Sequence, residues 1–114
     1  MRAVEYQGGR AVAVVDRVPD EPGPHDVRIA VSYVGLCGTD LHVYLGDADA
    51  RVGVPAVIGH EMSGHVESVG ADVTDLAPGR LVTVMPTRYC GHCPACARGH
   101  SNVCYDMDFL GMDS

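Results

Sequence analysis

Residues 27–35 read VRIAVSYVG, and these nine residues decide the fold class. Val27, Ile29, Val31 and Tyr33 take every second position, with Arg28, Ala30 and Ser32 between them. Successive side chains of a strand point to opposite faces, so this period of two predicts a half-buried β-strand ending at Gly35. Upstream, MRAVEY predicts a first strand, and Gly8-Gly9 turns the chain into a second over Arg10–Val18. The Pro- and Gly-rich DEPGPHD, residues 20–26, predicts an exposed turn before the alternating strand.

Downstream, Thr39–Tyr44 suits a single helical turn with Thr39 or Asp40 capping its start. Gly46–Pro55 reads as loop. Ala56–Val69 reads as one or two strands interrupted by Gly59 and Gly64 and ended by Gly70, with 72–78 as a connection. The apolar LVTVM, Leu81–Met85, reads as a short strand buried on both faces. No ten-residue stretch carries a helical period. With 14 Gly and 7 Pro among 114 residues, the chain predicts one mainly β domain, barrel-like or a rolled sheet, with long functional loops.

Composition excludes several partners. Hydrophobic residues make up 46% and charged ones 20%, which suits a folded globular domain rather than a disordered chain. The net charge is −7, and the eight Lys and Arg are scattered, which argues against nucleic acid or an anionic membrane as the partner. The longest apolar run, Ala11–Val15, falls far short of the roughly 20 residues that span a bilayer. With no signal-peptide pattern, a cytoplasmic protein is expected. Thiols stay reduced there, so clustered cysteines predict metal ligands or catalysts rather than disulfides.

Four of the five cysteines lie in CGHCPACARGHSNVC, residues 90–104, spaced C-x2-C-x2-C-x7-C. Zinc takes four thiolates in a tetrahedron at about 2.3 Å each, and two-residue gaps let tight turns bring successive sulfurs to one ion. Gly91, Pro94 and Gly99 supply turn-prone backbone. Cys90, Cys93, Cys96 and Cys104 therefore predict a closed, structural zinc site, a lobe over residues 89–105. An iron–sulfur cluster uses similar gaps and is the alternative. Disulfides between sulfurs this close in sequence would be strained. His92 and His100 are expected to be solvated loop residues, because four sulfurs already saturate the ion.

Cys37 stands apart, in the glycine-flanked GLCGTDLH just beyond the alternating strand. A lone cysteine there is ordinarily a small buried hydrophobe. However, GHEMSGHVESVG, residues 59–70, sets His60 beside Glu61. A thiolate, an imidazole and a carboxylate make a mixed zinc shell, and catalytic zinc keeps a position open for substrate. His65 and Glu67 are expected on the strand surface, and Met62 in the core.

Together these segments resemble the N-terminal catalytic domain of zinc-dependent medium-chain alcohol dehydrogenases, a GroES-like β-barrel. Gly59-His60-Glu61, Gly64 and Gly70 match that family's G-H-E-x2-G-x5-G; GLCGTDLH matches its first zinc-ligand loop, and the four-cysteine lobe its structural zinc lobe. The Cys-Gly-Thr-Asp of residues 37–40 looks closer to the polyol, threonine and butanediol dehydrogenase branch. The resemblance implies that Cys37 and His60 bind a catalytic zinc, with Glu61 a ligand or just outside the shell. It implies that Asp40 supports the ligands, Thr39 takes the alcohol proton and His42 passes it to solvent.

The implied reaction is oxidation of a small alcohol or polyol, with hydride passing to NAD or NADP. The implied assembly is a homo-oligomer. One departure is Gly79-Arg80, where the family has Gly-Asp; it touches a turn, not the zinc residues. No G-x-G-x-x-G occurs, so residues 1–114 are expected to be an incomplete catalytic domain, inactive alone, whose nicotinamide-binding domain and closing strands lie elsewhere. The alternative is a standalone zinc-binding β module used for protein assembly.

Overall fold

The computed structural model describes Met1–Asp113, and strands carry its architecture. Strands β1 (Arg2–Gly8) and β2 (Ala11–Asp16) form an antiparallel hairpin, and β3 spans Val27–Gly35. Helices α1 (Gly38–Leu45) and α2 (Asp49–Val52) follow. The short β4 (Ala56–Val57) then lines up on the free edge of β1, giving the order β2-β1-β4. A second antiparallel sheet has the order β3-β5-β6, with β5 at Glu61–Val69 and β6 at Leu81–Thr83. The cysteine segment is held between β7 (Thr87–Arg88) and β8 (Asp108–Phe109), and contains helix α3 (Pro94–Ala97) and a 3-10 turn at Ser101–Val103. No helix among the described residues is long and apolar enough to cross a membrane.

The mainly β expectation holds, but several local readings need correction. The alternation of β3 does not bury one whole face. Its pairing with β5 slips between Arg28 and Ile29 and again between Val31 and Tyr33, so the face changes along the strand. Tyr33 is 78% exposed. Ile29, Val31, Tyr33 and Met62 line an open cleft of about 960 Å³ between the two sheets instead of a packed core.

Leu81–Met85 is not buried on both faces either. Its strand stops at Thr83 and pairs only with β5, leaving Leu81 69% and Met85 78% exposed. Within the expected loop, Asp49–Val52 forms α2, anchored because the Tyr6 hydroxyl donates to Asp49 Oδ1 at 2.8 Å. That hydrogen bond, then desolvation, raises the Tyr6 phenol above its ordinary value.

Nor does Gly64 interrupt a strand. It sits inside β5 because a Cβ there would lie 2.2 Å from the Ala30 carbonyl oxygen of β3, so only glycine permits the pairing. His65 and Glu67 are exposed on the same strand, as expected.

A small core sits to one side. Tyr6 from β1, Val43 from α1 and Met112 are buried together, and Ala48, Val52, Ile58 and Phe109 pack around them. Arg51 of α2 reaches across to Asp113, its Nε donating at 2.5 Å and a terminal nitrogen at 2.8 Å. Residues 109–113 are thereby drawn against α2 and β1. This placement matters because His60 and Asp40 lie beside that core.

Candidate metal centres

The β3–β5 ladder explains how Cys37 meets His60. Gly35, the last residue of β3, is the partner of Glu61, the first of β5. Cys37 lies two residues beyond one strand end and His60 one residue before the other. The chain leaving β3 turns at once into α1, and Cys37 caps it, accepting a hydrogen bond on Sγ from the Thr39 amide at 3.3 Å. Asp40, in the first turn of α1, closes the reciprocal half by accepting from the Cys37 amide at 2.9 Å. The expected cap was Thr39 or Asp40. Cys37 takes that place because its extended backbone already aims the sulfur at the first free helix amides.

Cys37 Sγ lies 3.3 Å from His60 Nε2, and these two atoms and a Glu61 carboxylate oxygen all lie within 4.8 Å of one another. His60 is 4% exposed and Asp40 7%. The nearest carboxylate to His60 Nδ1 is Asp40 Oδ1 at 3.7 Å, too long for a hydrogen bond, and Nδ1 has no other partner. A buried imidazole with one nitrogen toward a thiol and the other toward a carboxylate matches the pattern of metal-bound histidines. The donor set suits zinc: one soft sulfur, one imidazole, and a carboxylate at an exposed edge where substrate could approach. Gly35 makes room for that carboxylate, since a Cβ there would lie 2.8 Å from Glu61 Oε2.

Thr39 and His42 are three residues apart on α1 and so share one face of the helix. Thr39 is partly buried beside Cys37. His42 is exposed, and its Nδ1 lies 3.0 Å from Asp47 Oδ2.

The second cluster is built locally. Cys90, Cys93, Cys96 and Cys104 converge so that their sulfurs lie within 4.8 Å of one another, and all five cysteines of the chain are free thiols. Cys104 Sγ is 3.5 Å from Cys90 Sγ and 4.0 Å from Cys93 Sγ. A tetrahedron with metal–sulfur bonds of about 2.3 Å has sulfur–sulfur edges of about 3.8 Å, so the spacing fits four thiolates around one ion. Pro94 starts α3 at its first position, where its missing amide costs nothing, and this places Cys96 one turn after Cys93.

The amides of Cys93 and Cys90 donate to Cys90 Sγ and Cys104 Sγ respectively, each at 3.3 Å. Backbone hydrogen bonds from Tyr105 and Cys96 hold the Cys93 thiol down at about 6. Desolvation, then the neighbouring Cys93 sulfur, pushes Cys96 up to about 12. Cys93 and Cys96 are thus shifted in opposite directions, and a cation bound among the sulfurs would favour the thiolates. His92 and His100 stay exposed outside the cluster, as expected, with His92 Nδ1 2.8 Å from the Cys90 carbonyl oxygen.

Two neighbours of the mixed site were not evident from the sequence. Gly35 is visible there as a strand end and a glycine flanking Cys37 but not as the space for Glu61, and the Phe109 ring lies edge-on to His60, with centroids 5.1 Å apart at 71°. Nothing in the spacing of residues 108–111 signals that contact.

Fold and clusters together define a β domain with one four-sulfur cluster and one mixed cluster, separately built. The chain belongs to the zinc-dependent medium-chain alcohol dehydrogenases, through a match of residues 23–112 to the alcohol dehydrogenase GroES-like domain. It is 41% identical over 114 residues to 2-dehydro-3-deoxy-L-galactonate 5-dehydrogenase of Pseudoalteromonas atlantica, covering 100% of this chain and 33% of that protein. It is 38% identical over 117 residues to L-threonine 3-dehydrogenase of Bacillus subtilis, covering 100% of this chain and 34% of that one. The crystal structure of galactitol-1-phosphate dehydrogenase from Escherichia coli superposes with a TM-score of 0.92 at 33% identity, over 99% of this chain and 32% of that one. The chain thus spans about a third of the length of the curated relatives it matches.

Proposed function

We propose that this chain is the metal-binding catalytic domain of a dehydrogenase that oxidises an alcohol or polyol and passes the hydride to NAD or NADP. In this reading the domain works together with a nicotinamide-binding domain, in a reducing compartment such as the cytoplasm. The observation that carries it is the convergence of Cys37 Sγ, His60 Nε2 and the Glu61 carboxylate at the head of α1. Cys37, His60 and Glu61 would hold a catalytic zinc, and Cys90, Cys93, Cys96 and Cys104 a structural one. Zinc, when bound at the first site, supplies the Lewis acidity that lowers the pKa of an alcohol.

The chain's own residues manage the proton. The Thr39 hydroxyl, one turn-start beyond Cys37, accepts the alcohol proton and passes its own along the shared helix face toward His42. With Nδ1 3.0 Å from the Asp47 carboxylate, His42 would pass the proton to water through Nε2. Asp40, buried with its Oδ1 3.7 Å from His60 Nδ1, backs the imidazole on the side away from Cys37 and places a negative charge there.

The test is alcohol-dependent reduction of NAD or NADP by a protein carrying this chain with its nicotinamide-binding domain. Cys37→Ala is expected to abolish turnover and to lose one zinc. Full activity in that variant contradicts the reading.

A further inference from the structure

The imidazole of His60 has no hydrogen bond at Nδ1, so beyond the 3.3 Å contact of Nε2 with Cys37 Sγ its orientation depends on packing. Phe109 supplies the packing. Its ring meets the imidazole edge-on at 5.1 Å, an arrangement aromatic pairs favour.

Phe109 is itself held from several sides. In β8 it pairs with Thr87 of β7, its amide donates to Asp113 Oδ2 at 2.9 Å, and its carbonyl accepts from the Met112 amide at 3.0 Å. Met112 is buried in the core with Tyr6 and Val43, and Arg51 pins Asp113. Two residues beyond Phe109, Gly111 passes so close to the loop before His60 that a Cβ would lie 2.5 Å from the Gly59 carbonyl oxygen. The strap over residues 108–113 is thus pressed against the loop that carries His60, with the phenyl ring as its point of contact.

We propose that Phe109 is a positioning residue of the mixed metal site, holding the His60 imidazole so that Nε2 faces the position shared with Cys37 and Glu61. This rests on the proposed function, in which that cluster holds zinc. Loss of the ring leaves the ligands in place but frees the imidazole to turn, so affinity falls by misorientation rather than by loss of a donor. Partners that orient a metal-bound histidine typically contribute about 10–100-fold in affinity, and a packing contact belongs at the lower end, roughly tenfold.

The test is a cobalt(II) titration of the whole chain, following the ligand-field absorption and taking the difference from the same titration of Cys37→Ala to separate the mixed site from the four-cysteine lobe. Phe109→Ala is expected to weaken cobalt at the mixed site roughly tenfold and shift its ligand-field bands, with lobe affinity unchanged. Phe109→Tyr keeps the ring and is expected to bind as the parent does. Val52→Ala, which removes apolar bulk from the same core cluster, is expected to lower stability while leaving the mixed-site bands alone. Parent-like cobalt affinity in Phe109→Ala overturns the proposal, as does an equal loss in Val52→Ala, which would mark the ring as general packing. A parent chain that binds cobalt only at the lobe overturns the proposed function itself, and this proposal with it.

Discussion

The four-cysteine lobe draws its donors from residues 90–104, whereas Cys37 and His60 come from strand ends 23 residues apart. In the lobe, short turns, Pro94 and backbone amides aimed at sulfur set the geometry, and little of the rest of the domain is needed. At the mixed site the geometry belongs to the tertiary structure: the β3–β5 register, the cap of α1, and the strap at Phe109. A local site stabilises the segment that forms it. A tertiary site inherits the stability of everything around it, which suits a centre that, in the proposed function, keeps one side open to substrate.

This contrast can be broken most sharply at the lobe. Cys93→Ser is expected to cost the lobe its zinc, whose binding free energy in small zinc domains is on the order of 10 kcal/mol. Hydrogen exchange should then show residues 89–105 losing protection while β3 and β5 keep theirs. Loss of protection across both sheets would show that the lobe is not local.

Next in size, Thr39→Val is expected to lower kcat roughly 100- to 1,000-fold in the proposed dehydrogenase, with zinc content unchanged. A variant with normal kcat would remove Thr39 from the proton path. Gly64→Ala tests the tertiary side. Its Cβ would meet the Ala30 carbonyl, so a loss of about 1–3 kcal/mol is expected in urea unfolding, with the lobe still binding its metal.

The smallest effect lies at the rim. The hydrogen bond from Arg51 holds the Asp113 carboxyl below its ordinary value. The sign follows directly: the pair's contribution is fully present above about pH 4 and is lost as pH falls through the lowered folded value. Because Arg51 is 56% exposed, Arg51→Ala is expected to cost no more than about 1 kcal/mol at neutral pH. That difference should vanish in strong acid, as read from the unfolding midpoint across pH.

The lobe was legible from spacing alone because its geometry is local. The mixed site was legible as two separate fragments, GLCGTDLH and GHEMSGHVESVG, whose donor types suggested one zinc shell and to which the family resemblance then gave roles. What escaped depends on neighbours distant in sequence. The alternation over Val27–Tyr33 predicts one buried face, but two slips in the β3–β5 ladder and an open cleft leave Tyr33 exposed. LVTVM looks doubly buried by composition, yet it lies at a sheet edge, and sheet order has no local signature. Helix α2 has four residues, too few for any period, and is anchored by Tyr6 from β1. Phe109 stands 49 positions from His60, and only the strap along the core brings the rings together.

The central claim is that two zinc sites are built independently, one from local spacing and one from tertiary convergence. The most direct measurement is zinc per chain, by elemental analysis of the purified protein and two variants. The account predicts two zinc ions in the parent. It predicts one in Cys37→Ala, with the lobe still protected, and one in Cys90→Ser, with the mixed site still able to bind cobalt. A Cys37→Ala protein that retains both ions, or a Cys90→Ser protein that retains both, would contradict it.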